Sequence, residues 1–183
     1  MRHQNLSYRV ALGGIVSSFC LMSMFLTGIF PLLYLTLPMI AGVLLLIVVM
    51  EVGIEWAWVT YTAVSLLSLF VTYDKEAALI FILFFGSFPL IRYYLKKIPS
   101  KSVQWILKLI LFNSTMILYF YLNTYLFGMQ ELLEELQEYG RHAGKIILIL
   151  LNPFFVMYDT SLGGLCELYT KMLKPRIMGK NRL

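Results

Sequence analysis

Apolar runs of about twenty residues recur along this chain with little to interrupt them, and each must be matched to a surrounding that tolerates it. A bilayer core of roughly 30 Å is crossed by about 20 helical residues at ~1.5 Å each. Laid along the sequence, this ruler predicts six spans: Val10 to Phe30, Leu32 to Val52, Ile54 to Tyr73, Ala77 to Leu95, Val103 to Phe127 and Ala143 to Leu168. Pro31, the Gly53 region, Asp74-Lys75-Glu76, the Lys96 to Lys101 stretch and the acidic segment Met129 to His142 separate them. Spans two and three are divided only by Glu51, Gly53 and Glu55, so a re-entrant pair is the alternative there. Hydrophobic residues make up 60% of the chain and charged residues 14%, too apolar for a soluble interior of 183 residues to hide. Soluble enzymes, disordered chains and disulfide scaffolds are thereby excluded. The expected fold is an all-α integral membrane protein, a bundle of six transmembrane helices forming one domain over residues 1–183.

Charge gives the direction of threading, because Lys and Arg in short loops stay on the cytoplasmic side. With both termini inside, the cytoplasmic set is Arg2, Arg9, Arg92, Lys96, Lys97, Lys101, Lys108, Lys171, Lys174, Arg176, Lys180 and Arg182, against Lys75, Arg141 and Lys145 outside. The expected location is a cell membrane, with multiple passes and cytoplasmic ends. The same assignment puts the Glu51/Glu55 turn inside without a basic residue. The basic start MRHQNLSYR leads into a run too long for a signal peptide, with no small-residue cleavage site after it, so the first span is expected to remain uncleaved. Basic residues sit at the ends of apolar segments and form no solvated stripe, which argues against a nucleic-acid partner. Cys20 and Cys166 fit no metal-ligand spacing.

Motifs for catalysis are missing: there is no His-Glu-x-x-His, no Gly-x-Ser-x-Gly and no Walker loop, and His3 and His142 lie in extramembrane segments. Neither an enzyme, a metal site nor a cofactor is expected. The first span opens ALGGIVSS, so Gly13 recurs with Ser17 and Gly14 with Ser18. Small residues four apart let helices approach closely, either a sister span or a partner subunit. Asp159 falls well inside the hydrocarbon in the sixth span, at the level of Arg92 and Lys108; an unpaired charge there costs several kcal/mol, so a structural ion pair with one of them is expected. Asn113 and Asn152 occur near the midplane at matching depth, where they can pair or face a cavity. Tyr119, Tyr121, Asn123 and Tyr125 cluster in the outer half of span five, and Tyr34, Asp74, Lys75 and Lys145 lie in the facing loops. An outward cavity at Lys75, Tyr119, Asn123, Lys145 and Asn152 would suit a small, partly planar organic ligand. Some of the tyrosines, with Trp56, Trp58 and Tyr93, belong to interfacial aromatic belts. Residues 129–142 carry apolar residues on one helical stripe with acids opposite, an outer-side amphipathic connector or a lid over that cavity.

The size, the six short spans, the first helix starting ALGGIVSS and the closing YDTSLGGLCELYTKMLKP resemble the substrate-binding S components of energy-coupling-factor (ECF) transporters. The segment DKEAALIFILFFGSFPLIRYYLKK is similar to a stretch in uncharacterised bacterial membrane proteins related to that group. In that family small residues four apart in the first helix, commonly alanines, contact the coupling subunit; the matching positions are Gly14 and Ser18, with Ala11 nearby, and glycine and serine replace the alanines here. The resemblance implies a protein that binds a vitamin or similar micronutrient from outside and moves it beside a transmembrane coupling protein and two ATPases. A non-transporting membrane scaffold of bacterial envelope assembly, which needs surfaces and no pocket, is the alternative.

Overall fold

The computed structural model describes residues 6–126 and 143–173, the side chains of residues 126, 143–145, 172 and 173 excepted. The amphipathic connector at 129–142 and the terminal basic residues Arg2, Lys174, Arg176, Lys180 and Arg182 lie outside the described residues. Every described element is helical: α1 (Leu6–Leu26), α2 (Thr36–Glu51), α3 (Ile54–Val71), α4 (Lys75–Leu95), α5 (Lys101–Leu126) and α6 (Ala143–Leu168). Among the described residues five of these, all but α2, are long and apolar enough to cross a membrane. Each presents large apolar side chains outward, such as Phe19 on α1, Phe70 on α3, Ile110 on α5 and Phe154 on α6. Water would penalise such surfaces, whereas lipid tails accept them. The chain is an all-α protein built for a multi-pass place in a membrane.

Packing divides the chain into two units, Met1–Leu133 and Glu134–Leu183. In the first, α2 packs against α1, α3 and α4, while α1 also packs on α3 and α4 on α5. The core is formed by Val16, Cys20 and Met24 of α1, Ala41, Leu45 and Val48 of α2, Ala57 and Val64 of α3, and Ala78, Phe81 and Leu90 of α4. In the second unit Phe155, Tyr158, Asp159 and Leu162 form the buried stripe of α6, spaced three, one and three residues apart, as one helical face requires.

The second predicted span is shorter than expected. Residues Pro31–Leu33 form a 3₁₀ turn and α2 starts only at Thr36, leaving 16 residues. Gly53 separates α2 from α3 and adopts φ 116° and ψ 167°, a region open essentially to glycine alone. The chain reverses there within two residues, so spans two and three are distinct helices.

Proline shapes α4. Pro89 has no N–H, and its ring crowds the carbonyl four residues earlier, that of Phe85. Immediately upstream, Phe81–Phe85 form a π turn in which Gly86 N–H donates to the Phe81 carbonyl at 2.8 Å. Tyr61 of α3 donates its hydroxyl to the Ile82 carbonyl at 2.6 Å, and Ser87 Oγ donates to the Leu83 carbonyl at 2.8 Å. The Phe85 carbonyl is pressed against Gly42 of α2, where a Cβ would lie 2.1 Å from its oxygen. So close a backbone approach permits a Cα–H···O contact with the carbonyl that Pro89 deprives of its ordinary donor.

Candidate functional site

One end of the first unit gathers polar groups from several elements. Asp74 caps α4, its Oδ1 accepting the N–H groups of Glu76 at 3.0 Å and Ala77 at 3.2 Å. Glu76 follows in the first turn, where the helix dipole favours an acid. Gly28, just after α1, lies against Tyr73, which brings the end of α1 to the same place. Tyr119 of α5 completes the group: its hydroxyl interacts electrostatically with Asn123, Glu76, Tyr34 and Asp74.

The position of Tyr119 follows from the inward stripe of α5. Lys108, Phe112, Met116, Tyr119 and Asn123 recur every three or four residues and all are buried. The stripe is apolar in the middle and polar at both ends. Asn123 is only 2% exposed, and neither its amide nitrogen nor its oxygen has a hydrogen-bond partner. The Tyr119 hydroxyl is near enough to interact with it, but no contact between the two meets hydrogen-bond geometry. Thr72 Oγ1, at the end of α3, is also buried and unmet. Such groups lose about 1–3 kcal/mol each when left without partners, so their retention points toward something that satisfies them.

The other residues of the expected cavity are placed differently. Lys75 turns back onto α3, its ammonium donating to the carbonyls of Leu69 at 2.7 Å and Thr72 at 2.9 Å. Its charge thus complements the C-terminal end of that helix. Asn152 and Lys145 belong to the second unit; the Asn152 amide donates to the Leu148 carbonyl of its own helix at 2.7 Å, and the Lys145 side chain lies outside the described residues. Asn113 likewise donates to the Leu109 carbonyl at 2.8 Å. Both amides thus spend a donor on the backbone one turn earlier. Tyr121 and Tyr125 are exposed and stack on each other at 4.4 Å, as belt residues do. Sequence reasoning treated Glu76 only as an interruption; its place two residues after a capping Asp was the available signal.

At the opposite end, the two glycines of α1 part company. Gly13 is buried, and a Cβ there would meet Thr60 Oγ1 at 3.3 Å. Gly14 is exposed with nothing within 4 Å, and Ala11 and Ser18 share its outward face. Ser18 Oγ donates to the Gly14 carbonyl at 2.9 Å, so the strip offers little polarity of its own. Internal packing claims Gly13; the strip of Ala11, Gly14 and Ser18 faces lipid or a partner.

Arg92, Lys108 and Asp159 are all buried, at 6%, 5% and 3% exposure, and each has interactions. The Lys108 ammonium also lies 5.0 Å from the centre of the Trp105 ring. Among the described residues no three His, Cys, Asp or Glu side chains cluster to hold a metal ion. Comparison with protein-family models, curated proteins and solved structures finds no match to this chain.

Proposed function

We propose that this chain is the membrane-embedded substrate-binding subunit of a micronutrient uptake transporter, of the ECF S-component type, powered by partner ATPase subunits. The observation that carries this reading is the buried, unmet amide of Asn123, one helical turn from Tyr119 on the inward stripe of α5. A scaffold gains nothing from such a group, whereas a binding protein uses it to recognise a ligand's donors and acceptors. In this reading α2 is a sixth pass, both termini are cytoplasmic, and the Asp74 end faces outward.

Energy must then come through contact with other subunits. The strip of Ala11, Gly14 and Ser18 supports docking of a transmembrane coupling subunit, because small outward residues let a second helix approach closely. Ligand and partner would act by population shift, each favouring one orientation of the helical body.

Affinity purification from native membranes in mild detergent, followed by native mass spectrometry, tests the proposal. The expected result is a bound small organic molecule together with coupling and ATPase subunits. Recovery of envelope-assembly neighbours and no small molecule would instead favour the scaffold reading, which the same outward strip would serve.

A further inference from the structure

We propose that the turn joining α4 to α5 binds the headgroup of an anionic phospholipid, a net-negative phosphodiester of the phosphatidylglycerol kind. The site lies at the far end of α4 from Asp74 and at the far end of α5 from Asn123, so it holds for a binding subunit and for a scaffold alike.

Lys96, Lys97 and Lys101 stand within six residues of one another and all are exposed. None of the three makes an ion pair among the described residues. The sequence shows why: from Ala77 to Gln130 it contains no Asp or Glu, so neither α4 beyond Glu76 nor α5 can supply a carboxylate. The acids from Glu131 to Glu138 follow α5 at its other end, about 38 Å along the helix from Lys101. Glu51 and Glu55 of the α2–α3 turn pair with none of the three lysines.

The turn keeps these charges together. Ile98 N–H donates to the Leu95 carbonyl at 3.1 Å, Pro99 fixes its own φ, and the Gln104 amide reaches back from α5 to donate to the Ile98 carbonyl at 2.6 Å. Three like charges so close repel one another, and the amino end of α5 adds its partial positive charge, so an anion is attracted by all of them at once. What surrounds the lysines selects a lipid over a free phosphate. The Lys97 ammonium lies 4.7 Å from the Tyr93 ring centre and 5.5 Å from that of Tyr94, and both rings are exposed, as at the headgroup level of a bilayer. Val103, Trp105 and Ile106, on the first turns of α5, leave apolar surface exposed for the acyl chains of a lipid whose headgroup the lysines hold. Each lysine at a membrane surface strengthens attraction to anionic lipid about fivefold.

The test uses the full chain in mild detergent with equimolar phosphatidylglycerol and phosphatidylcholine of identical acyl chains, read by native mass spectrometry. At least about a tenfold preference for phosphatidylglycerol is expected, falling below about twofold when Lys96→Gln, Lys97→Gln and Lys101→Gln are combined. The combined Lys→Arg variant should keep the preference, since charge is retained. Without phosphatidylglycerol the glutamine variant should have the thermal midpoint of the wild type, because the three side chains are exposed and unpaired; added phosphatidylglycerol should raise the midpoint of the wild type alone. Equal retention of the two lipids by the wild type overturns the proposal. So does a preference that survives the glutamine variant, which would assign the lipid to other basic residues of the chain. Displacement of the lipid by soluble glycerol 1-phosphate overturns the lipid assignment in favour of a site for free phosphate esters.

Discussion

Glycines inside two neighbouring helices can carry opposite consequences, and Gly42 of α2 and Gly14 of α1 show it. At Gly42 an added Cβ would strike the Phe85 carbonyl at 2.1 Å, and a backbone atom cannot swing aside. Gly42→Ala is expected to cost about 3 kcal/mol or more, read as a fall in the thermal midpoint of the detergent-purified protein. Gly14→Ala meets nothing and should be neutral or stabilising by up to ~1 kcal/mol, since alanine favours the helix. Tyr61→Phe removes the hydroxyl that donates to the Ile82 carbonyl and should cost about 1 kcal/mol in the same assay.

Helix α4 shows how one element absorbs a local conflict. Pro89 would ordinarily kink a helix and strand a carbonyl. Here the π turn spreads the disturbance over Phe81–Phe85, and Tyr61, Ser87 and Gly42 together answer the carbonyls of residues 82, 83 and 85. The proline was visible in the sequence; its accommodation depends on α2 and α3, far away along the chain. Helix α1 is the contrary case, because nothing in its pattern marks an inward face: apolar and small residues surround it on all sides. Replacement of Gly14 by Leu should leave the thermal midpoint within about 1 kcal/mol of the wild type, since it enters open space. The same change should abolish copurification of a coupling partner, and retention of the partner would remove α1 from the docking surface.

For the molecule as a whole, the direction of threading decides which side of the membrane the Asp74 end faces. Cysteine placed at Tyr73, which is highly exposed, should react with a membrane-impermeant maleimide added to intact cells, whereas cysteine at Lys97 should react only after the membrane is opened. The reverse pattern would put the Asp74 cluster in the cytosol and exclude uptake from outside through it. The basic, aromatic turn after α4, where the Lys97 ammonium lies 4.7 Å from the Tyr93 ring centre, suits the cytoplasmic interface.

Sequence alone determined that this chain is helical and membrane-borne, because run length and hydropathy must match the thickness of a bilayer that satisfies no backbone group. It also marked Tyr119 and Asn123 as candidates, since polar groups are rare enough in such helices to stand out. It could not tell inward from outward: lipid and protein interior are both apolar, so the amphipathic signal that orients a helix in water is largely lost. Tertiary packing alone decided that Gly13 is buried while Gly14 is open, that Tyr119 points inward while Tyr121 and Tyr125 do not, and that Lys75 serves the end of α3. Those choices depend on which carbonyls and small side chains neighbouring helices bring close, and no single segment contains that information.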